Sequence, residues 1–305
     1  MNVLIIGLGS IASKHIKVLK EIIPNISIFA FRSSKSSIEL SGVIDIFEWK
    51  EVVVKNFDFC IISSPSSLHL SHIKLVEKLK IPIFIEKPLF INKKQINDYL
   101  KLDFKDIRSY VGCNFRFNPI IEFLKKDLKI NSKKIFEVTA YCGSYLPDWR
   151  PNKDYRKVYS SIKKLGGGTN IDLIHEPDYL VYLFGFPEKS IVFNRKVSLL
   201  EIDSFDSSTI HFSYKNFQAM ITLNYFRRDA KRTLEIVSEE GTIFVDFLNG
   251  LVKNLKTNKI LYKNSENLIE KSYEKQMLFF LDSIKSNEYK MNTIEEAISV
   301  LNIII

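Results

Sequence analysis

Residues 2 to 6, NVLII, form an unbroken apolar run rich in branched side chains, and GLGSIA follows at once, before the helix-like KHIKVLKEII. A short apolar run bounded by a glycine turn reads as a buried strand, and the stretch after it reads as a helix. Gly7, Gly9 and Ala12 stand at G-x-G-x-x-A spacing. In that pattern the first glycine makes the turn, the second lets the backbone approach a pyrophosphate, and the small third residue lets helix and strand pack closely. The helix N-terminus then presents unpaired N–H groups and a positive dipole end to the phosphates. No other feature constrains the chain as strongly: because it follows a strand and opens a helix, the expectation is a βαβ unit with a dinucleotide at Gly7, Gly9, Ser10, Ile11 and Ala12, in preference to a glycine turn that binds no nucleotide.

The pattern continues. ISIFAF (26–31), FDFCIIS (57–63), IPIFIE (81–86) and SYVGCNF (109–115) alternate with helical segments. That alternation implies a parallel sheet with ligands at the carboxyl ends of its strands. After about residue 117 the runs become more alternating: IFEVTAYCG, SIVFNRKVSLLEI, DSSTIHFSY, FQAMITLNYF and RTLEIVSEEGTIFVDF. Alternation of this kind belongs to an antiparallel sheet with one covered face. The expected architecture is an α/β Rossmann domain over 1–117 and an α+β domain over 118–305 with a large, mostly antiparallel sheet. The tail reads as helical, with Thr293 and Glu296 at capping-box spacing.

With 305 residues, 46% of them hydrophobic, the chain can bury two cores. The net charge of +9 is spread among acidic residues instead of standing in blocks, which fits a solvated surface and no nucleic-acid partner. Cys60, Cys113 and Cys142 are an odd set without C-x-x-C spacing, so neither a disulfide framework nor a metal site is expected. The N-terminus has no basic stretch before its apolar run, and no run reaches the ~18 residues of a membrane helix. A cytoplasmic protein without a membrane partner is the expectation.

The end of the second strand bears on the cofactor. Many NAD sites place an acidic residue there, whereas this chain has Arg32, Ser33, Ser34 and Lys35. A guanidinium and hydroxyls suit a 2′-phosphate, so NADP is expected, with NAD possible.

Taken together, GLGSIA, SSPSSLHLSH (63–72), EKP (86–88) and GGGTNIDLIHEPDYLVYLFG (166–185) resemble the Gfo/Idh/MocA oxidoreductase family, in order and over nearly the whole chain. The resemblance implies a Rossmann domain followed by an α/β domain with a large sheet, and NAD(P)-linked oxidation or reduction of a sugar, cyclitol or related carbonyl. It implies that Lys87 lies near the nicotinamide and the reacting oxygen, with a Lys87–Pro88 bond commonly cis. It places Ser64 and Pro65 beside the cofactor, with His69 near them or starting the next helix. Glu86 is expected as an outward partner or a cofactor-side contact.

One departure stands out. The family's commonest pattern is D-x-x-x-H, but here Asp172 and His175 are three apart, with Glu176 in the usual histidine slot. Positions i and i+3 are still neighbours on a helix. The resemblance therefore implies His175 as the acid–base, Asp172 as the group orienting it or a nearby hydroxyl, and Glu176 as a second acid or base. A histidine's ordinary pKa of about 6.5 suits either direction of proton transfer.

YLPDWRPNKDYRKVYSS offers Trp149 and Tyr155 for stacking on a sugar, and Arg150 and Arg156 for an anionic group. Asn114 and Arg116 resemble the family's interdomain segment and join the expected substrate residues. An acidic or nucleotide-linked sugar is the expected substrate class, with the same loop packed on its own domain as the alternative. A homodimer or homotetramer through the C-terminal sheet is expected. Two other readings stay open: a non-enzymatic NADP(H) redox sensor, and an epimerase or hydrolase that recycles its cofactor.

Overall fold

Val3, Leu4, Ile5 and Ile6 are buried on both faces, which places this strand in the middle of a covered sheet. The computed structural model describes residues 1–305 except 35–39, 103, 105, 106, 128, 265 and 290. Lys35, one residue of the expected basic corner, therefore lies outside the described residues. The chain divides into two compact units, 1–113 with 273–298 and 114–272 with 299–305.

The first unit contains β1 (Asn2–Ile6), α1 (Ser10–Ile22), β2 (Ser27–Phe31), β3 (Ile44–Ile46), α2 (Trp49–Val53), β4 (Phe59–Ile62), α3 (His69–Glu77), β5 (Ile83–Glu86), α4 (Lys93–Leu100) and β6 (Ser109–Gly112). The strands form one sheet in the order β3-β2-β1-β4-β5-β6, and every adjacent pair is parallel. Strand order reverses between β1 and β4, which opens a crevice at their carboxyl ends.

In the second unit, α5 (Pro119–Glu122), β7 (Ile135–Gly143), α6 (Thr169–Asp172) and α7 (His175–Phe184) precede β8 (Lys189–Arg195), β9 (Ser207–Ser213), β10 (Gln218–Asn224), β11 (Lys231–Ser238), β12 (Gly241–Asp246), β13 (Leu251–Asn254) and β14 (Lys259–Lys263). They make an eight-stranded sheet, β14-β13-β12-β11-β7-β10-β9-β8. Its adjacent pairs are antiparallel except β7 with β10, which run parallel. Val138, Ala140, Ile221, Leu223, Leu234 and Ile236 are buried on one face, whereas Ile191, Phe193 and Met220 are exposed.

Two helices close the chain, α8 (Leu268–Ser286) and α9 (Ile294–Asn302). The sequence assigns this tail to the second domain, but residues 273–298 belong to the first unit. The reason is aromatic burial. Phe280 is fully buried, with its ring 5.3 Å from Phe59 and 5.4 Å from Phe84. Burying one such side chain stabilises by about 1.5–3 kcal/mol. The Thr293 hydroxyl accepts the Glu296 N–H at the start of α9. Among the described residues, no helix is long and apolar enough to cross a membrane. All three cysteines are buried thiols.

Candidate functional site

Register sets the first part of the site. Phe31 pairs with Ile6, Ile6 with Ile62, and Ile62 with Ile85. The next residue on each strand is therefore Arg32, Gly7, Ser63 and Glu86, so the glycine turn and the EKP segment follow one row at the carboxyl edge of the sheet. Gly7 has φ +90°, and a Cβ there would lie 2.6 Å from the Ser64 backbone. Only glycine fits that turn.

Gly9 differs. Its backbone is extended, and a Cβ there would meet nothing within 4 Å. It precedes α1, which has no side-chain cap for its first N–H groups. Ala12 is fully buried behind them. Open space over an uncapped helix N-terminus fits a dinucleotide pyrophosphate, with Ser10 and Ile11 on the first turn. Bound there, a nicotinamide cofactor supplies a hydride acceptor or donor.

Beside the end of β2, Arg32 is buried and its Nη1 donates to Asp45 Oδ2 at 2.7 Å. Asp45 Oδ1 is buried with no hydrogen-bond partner. The guanidinium thus sits against a carboxylate, and the charge expected for a 2′-phosphate is largely offset. Ser33 is exposed next to it.

The segment after β4 is braced by two histidines. The Ser64 hydroxyl lies 2.8 Å from His72 Nδ1. Burial, and then the neighbouring His69, pull the His72 pKa down to about 4, so His72 is neutral near pH 7 in its hydrogen bond with the serine. His69 is fully buried, with Nδ1 3.0 Å from the Leu89 carbonyl and Nε2 2.9 Å from the Ser64 carbonyl. Burial lowers its pKa. His69 opens α3, the alternative given for it above, and braces two loops. Pro65 is exposed.

Glu86 is buried, and its Oε1 lies 2.6 Å from His15 Nε2 on α1. Its Oε2 accepts the Lys87 backbone N–H at 3.2 Å. Glu86 is therefore an inward anchor, which corrects the expectation of an outward side chain. Lys87 follows, half-buried, and its bond to Pro88 is cis.

In the second unit, Asp172 ends α6 and is buried. Its Oδ2 accepts from Ser160 Oγ at 2.6 Å and from the Tyr225 hydroxyl at 3.0 Å. Burial, and then Asp172, push the Tyr225 phenol well above its ordinary pKa, so it stays a donor. The sequence expects Asp172 and His175 on one continuous helix, but the chain leaves helical geometry at Leu173, with φ −90° and ψ 38°. His175 instead begins α7, half-buried, with its ring stacked 4.9 Å from Phe115. Next to it, Glu176 is fully buried and accepts from Arg232 Nε at 2.6 Å. The Arg232 guanidinium covers the Phe115 ring at 3.7 Å.

Residues 1–105 match the sequence model of Gfo/Idh/MocA, an oxidoreductase family with an NAD-binding Rossmann fold. The oxidoreductase YrbE of Bacillus subtilis (strain 168) is 23% identical over 310 residues, 93% of this chain and 86% of that protein. The myo-inositol 2-dehydrogenase of Thermotoga maritima is 22% identical over 317 residues, 94% of this chain and 89% of that protein. The family model thus covers the N-terminal Rossmann part, and the two relatives extend the likeness along the chain. The WlbA dehydrogenase from Bordetella pertussis, in complex with NADH and UDP-GlcNAcA, superposes on this chain with a TM-score of 0.80. That likeness covers 99% of this chain and 94% of the other at 16% identity, and it speaks to the fold.

Several of the expected substrate residues have partners within the chain. Asn114 is buried and donates to Ser272 Oγ at 2.7 Å. Arg116 is 2% exposed and grips both oxygens of Asp178, at 2.9 and 2.7 Å. Both are internal ties, because a buried guanidinium needs a carboxylate close by. Arg156 is exposed but bonds both Asp154 and Glu201, so its charge is met within the chain.

Trp149, Arg150 and Tyr155 do come together, lining a recess with Leu146, Pro147, Val158 and Ser160. The Trp149 indole N–H donates to Ser144 Oγ and its ring meets Tyr225 edge-on at 5.3 Å. Tyr155 packs on the cluster of Leu146, Val158, Leu200, Ile202 and Tyr225. The loop therefore packs on its own unit while keeping Trp149 and Arg150 at a surface recess.

Sequence reasoning missed His15, Asp45, His72, Ser160, Tyr225 and Arg232. His15 had a signal: it follows Ala12 by three on the face of α1 that also buries Ile16 and Leu19. Arg232 had none, since one arginine in an alternating strand looks like surface.

Proposed function

We propose that this oxidoreductase moves a hydride between a nicotinamide cofactor and a CH–OH carbon of a sugar or cyclitol-type substrate. The observation that carries the reading is the place of Lys87, one residue beyond β5 at the sheet edge that begins with Gly7. An ammonium there stabilises a developing alkoxide or polarises a carbonyl. His175 takes the hydroxyl proton in oxidation and returns it in reduction. Asp172, through the Tyr225 and Ser160 hydroxyls, organises polar donors in the second unit.

The substrate class is drawn from the relatives' named substrates and from Trp149 and Arg150, both exposed, an indole and a guanidinium that suit a ring face beside an anionic group. An acidic or nucleotide-linked sugar is the finer proposal. NADP(H) is proposed alongside NAD(H), with Arg32 and Ser33 facing the 2′-phosphate. The Asp45 carboxylate works against that phosphate, so the preference is small. Assembly through the exposed sheet face that carries Ile191, Phe193 and Met220 is proposed, as is a cytoplasmic home for the three buried thiols.

The test is a panel of myo-inositol, related hexoses and UDP-linked uronic acids with NAD⁺ or NADP⁺, followed by absorbance of the reduced cofactor. His175→Asn and Lys87→Met should lose turnover while keeping NADH fluorescence binding. Full turnover in either variant removes that residue's role. Substrate loss without accumulation of reduced cofactor would replace the dehydrogenase reading by cofactor recycling.

A further inference from the structure

His15 lies on α1, the helix whose N-terminus follows the glycine turn, and is fully buried. Its Nε2 meets Glu86 Oε1 at 2.6 Å, while Nδ1 is buried with no hydrogen-bond partner. The ring is therefore held through Nε2 alone. Phe84 and Tyr273 wall it edge-on at 4.9 and 5.9 Å, which fixes its orientation. The other oxygen of Glu86 accepts the Lys87 amide. A single carboxylate thus joins the dinucleotide-binding helix to the backbone of the lysine.

On the far side, His69 bonds the Leu89 carbonyl, so the EKP turn is held at both shoulders. A surface lysine would need no such anchoring. A buried carboxylate is stable only with its partners in place, and here both partners lie on elements that frame the cofactor edge.

We propose that His15 is a positioning residue for Lys87: its bond to Glu86 fixes the turn that aims the ammonium and links that aim to the seating of α1. The proposal rests on the role given to Lys87 under Proposed function, and its test is independent of turnover.

The full-length protein is reductively methylated with ¹³C-formaldehyde, and the Lys87 methyl signal is assigned by its loss in Lys87→Arg. His15→Phe keeps a ring of similar size and removes the donor to Glu86, whereas His15→Gln keeps an N–H donor. The Lys87 signal should be displaced or broadened in His15→Phe and return toward its wild-type position in His15→Gln. NADH should also displace it in wild type and displace it less in His15→Phe. An unchanged Lys87 signal in folded His15→Phe, or equal displacement in both variants, overturns the proposal. If His15→Phe does not fold, Glu86→Gln carries the test, with a displaced signal in support and an unchanged one against. Turnover that survives in Lys87→Met would sink the chemical role of Lys87 and leave this result standing.

Discussion

Arg232 Nε lies 2.6 Å from Oε1 of Glu176, and Glu176 has no solvent exposure. The residue in the family's usual histidine slot is thus half of an internal ion pair, and the proposed acid–base is His175 beside it. Replacing His175 by Asn should lower kcat by about 10²–10⁴-fold, the usual worth of a general acid–base. Glu176→Gln, which still accepts from Arg232, should lower it by less than about tenfold on the same scale. Arg232→Met would strand a buried carboxylate and cost about 3–5 kcal/mol of stability, read by urea unfolding.

The two glycines of the turn should separate folding from binding. Gly7→Ala forces a Cβ to 2.6 Å from the Ser64 backbone at φ +90°. It should destabilise the protein without cofactor by at least about 2 kcal/mol. Gly9→Ala meets no atom of the chain. Its unfolding free energy should stay within about 1 kcal/mol of wild type. NADH affinity, titrated by fluorescence, should nonetheless fall at least tenfold (~1.4 kcal/mol) as the methyl enters the phosphate approach.

Asp45 holds the Arg32 guanidinium. Asp45→Asn removes the negative charge and keeps a hydrogen-bonding partner. The variant should shift the NADPH-to-NADH affinity ratio toward NADPH by about tenfold, or ~1.4 kcal/mol. Paired titrations of wild type and variant decide it, and an unchanged ratio would place the 2′-phosphate away from Arg32.

His72 has its folded pKa pulled down to about 4, against an ordinary value near 6.5. The unfolded chain binds this proton more readily than the folded one. Its contribution to stability is therefore full above about pH 6.5 and falls away as pH drops toward about 4. Urea midpoints between those limits should decline more steeply in wild type than in His72→Gln, which has no titrating ring.

Much of the fold was legible. The apolar runs at 2–6, 26–31, 57–63, 81–86 and 109–115 contain β1, β2, β4, β5 and β6. Three-residue β3 and the short β13 and β14 passed unread, because so few residues carry no period. The parallel β7–β10 pairing was also invisible, since alternation reports a covered face and not the direction of the neighbour. The places of Gly7, Gly9, Ala12 and Lys87 at the turn, the helix start and the strand end were readable because backbone geometry and strand ends impose residue types. The partners of Arg116, Asn114 and Arg156 within the chain were not readable, because a polar side chain looks the same in sequence whether it faces solvent or another side chain.

The sequence by itself determined the dinucleotide turn, the parallel sheet and the carboxyl edge where Lys87 stands, since these follow from local sterics and from period. Only the tertiary structure decided which groups are paired: Arg32 with Asp45, Arg116 with Asp178, Arg232 with Glu176, and Glu86 with His15. Each pair joins residues from 13 to 71 positions apart. Electrostatic pairing depends on distance through space, and local pattern carries no record of it.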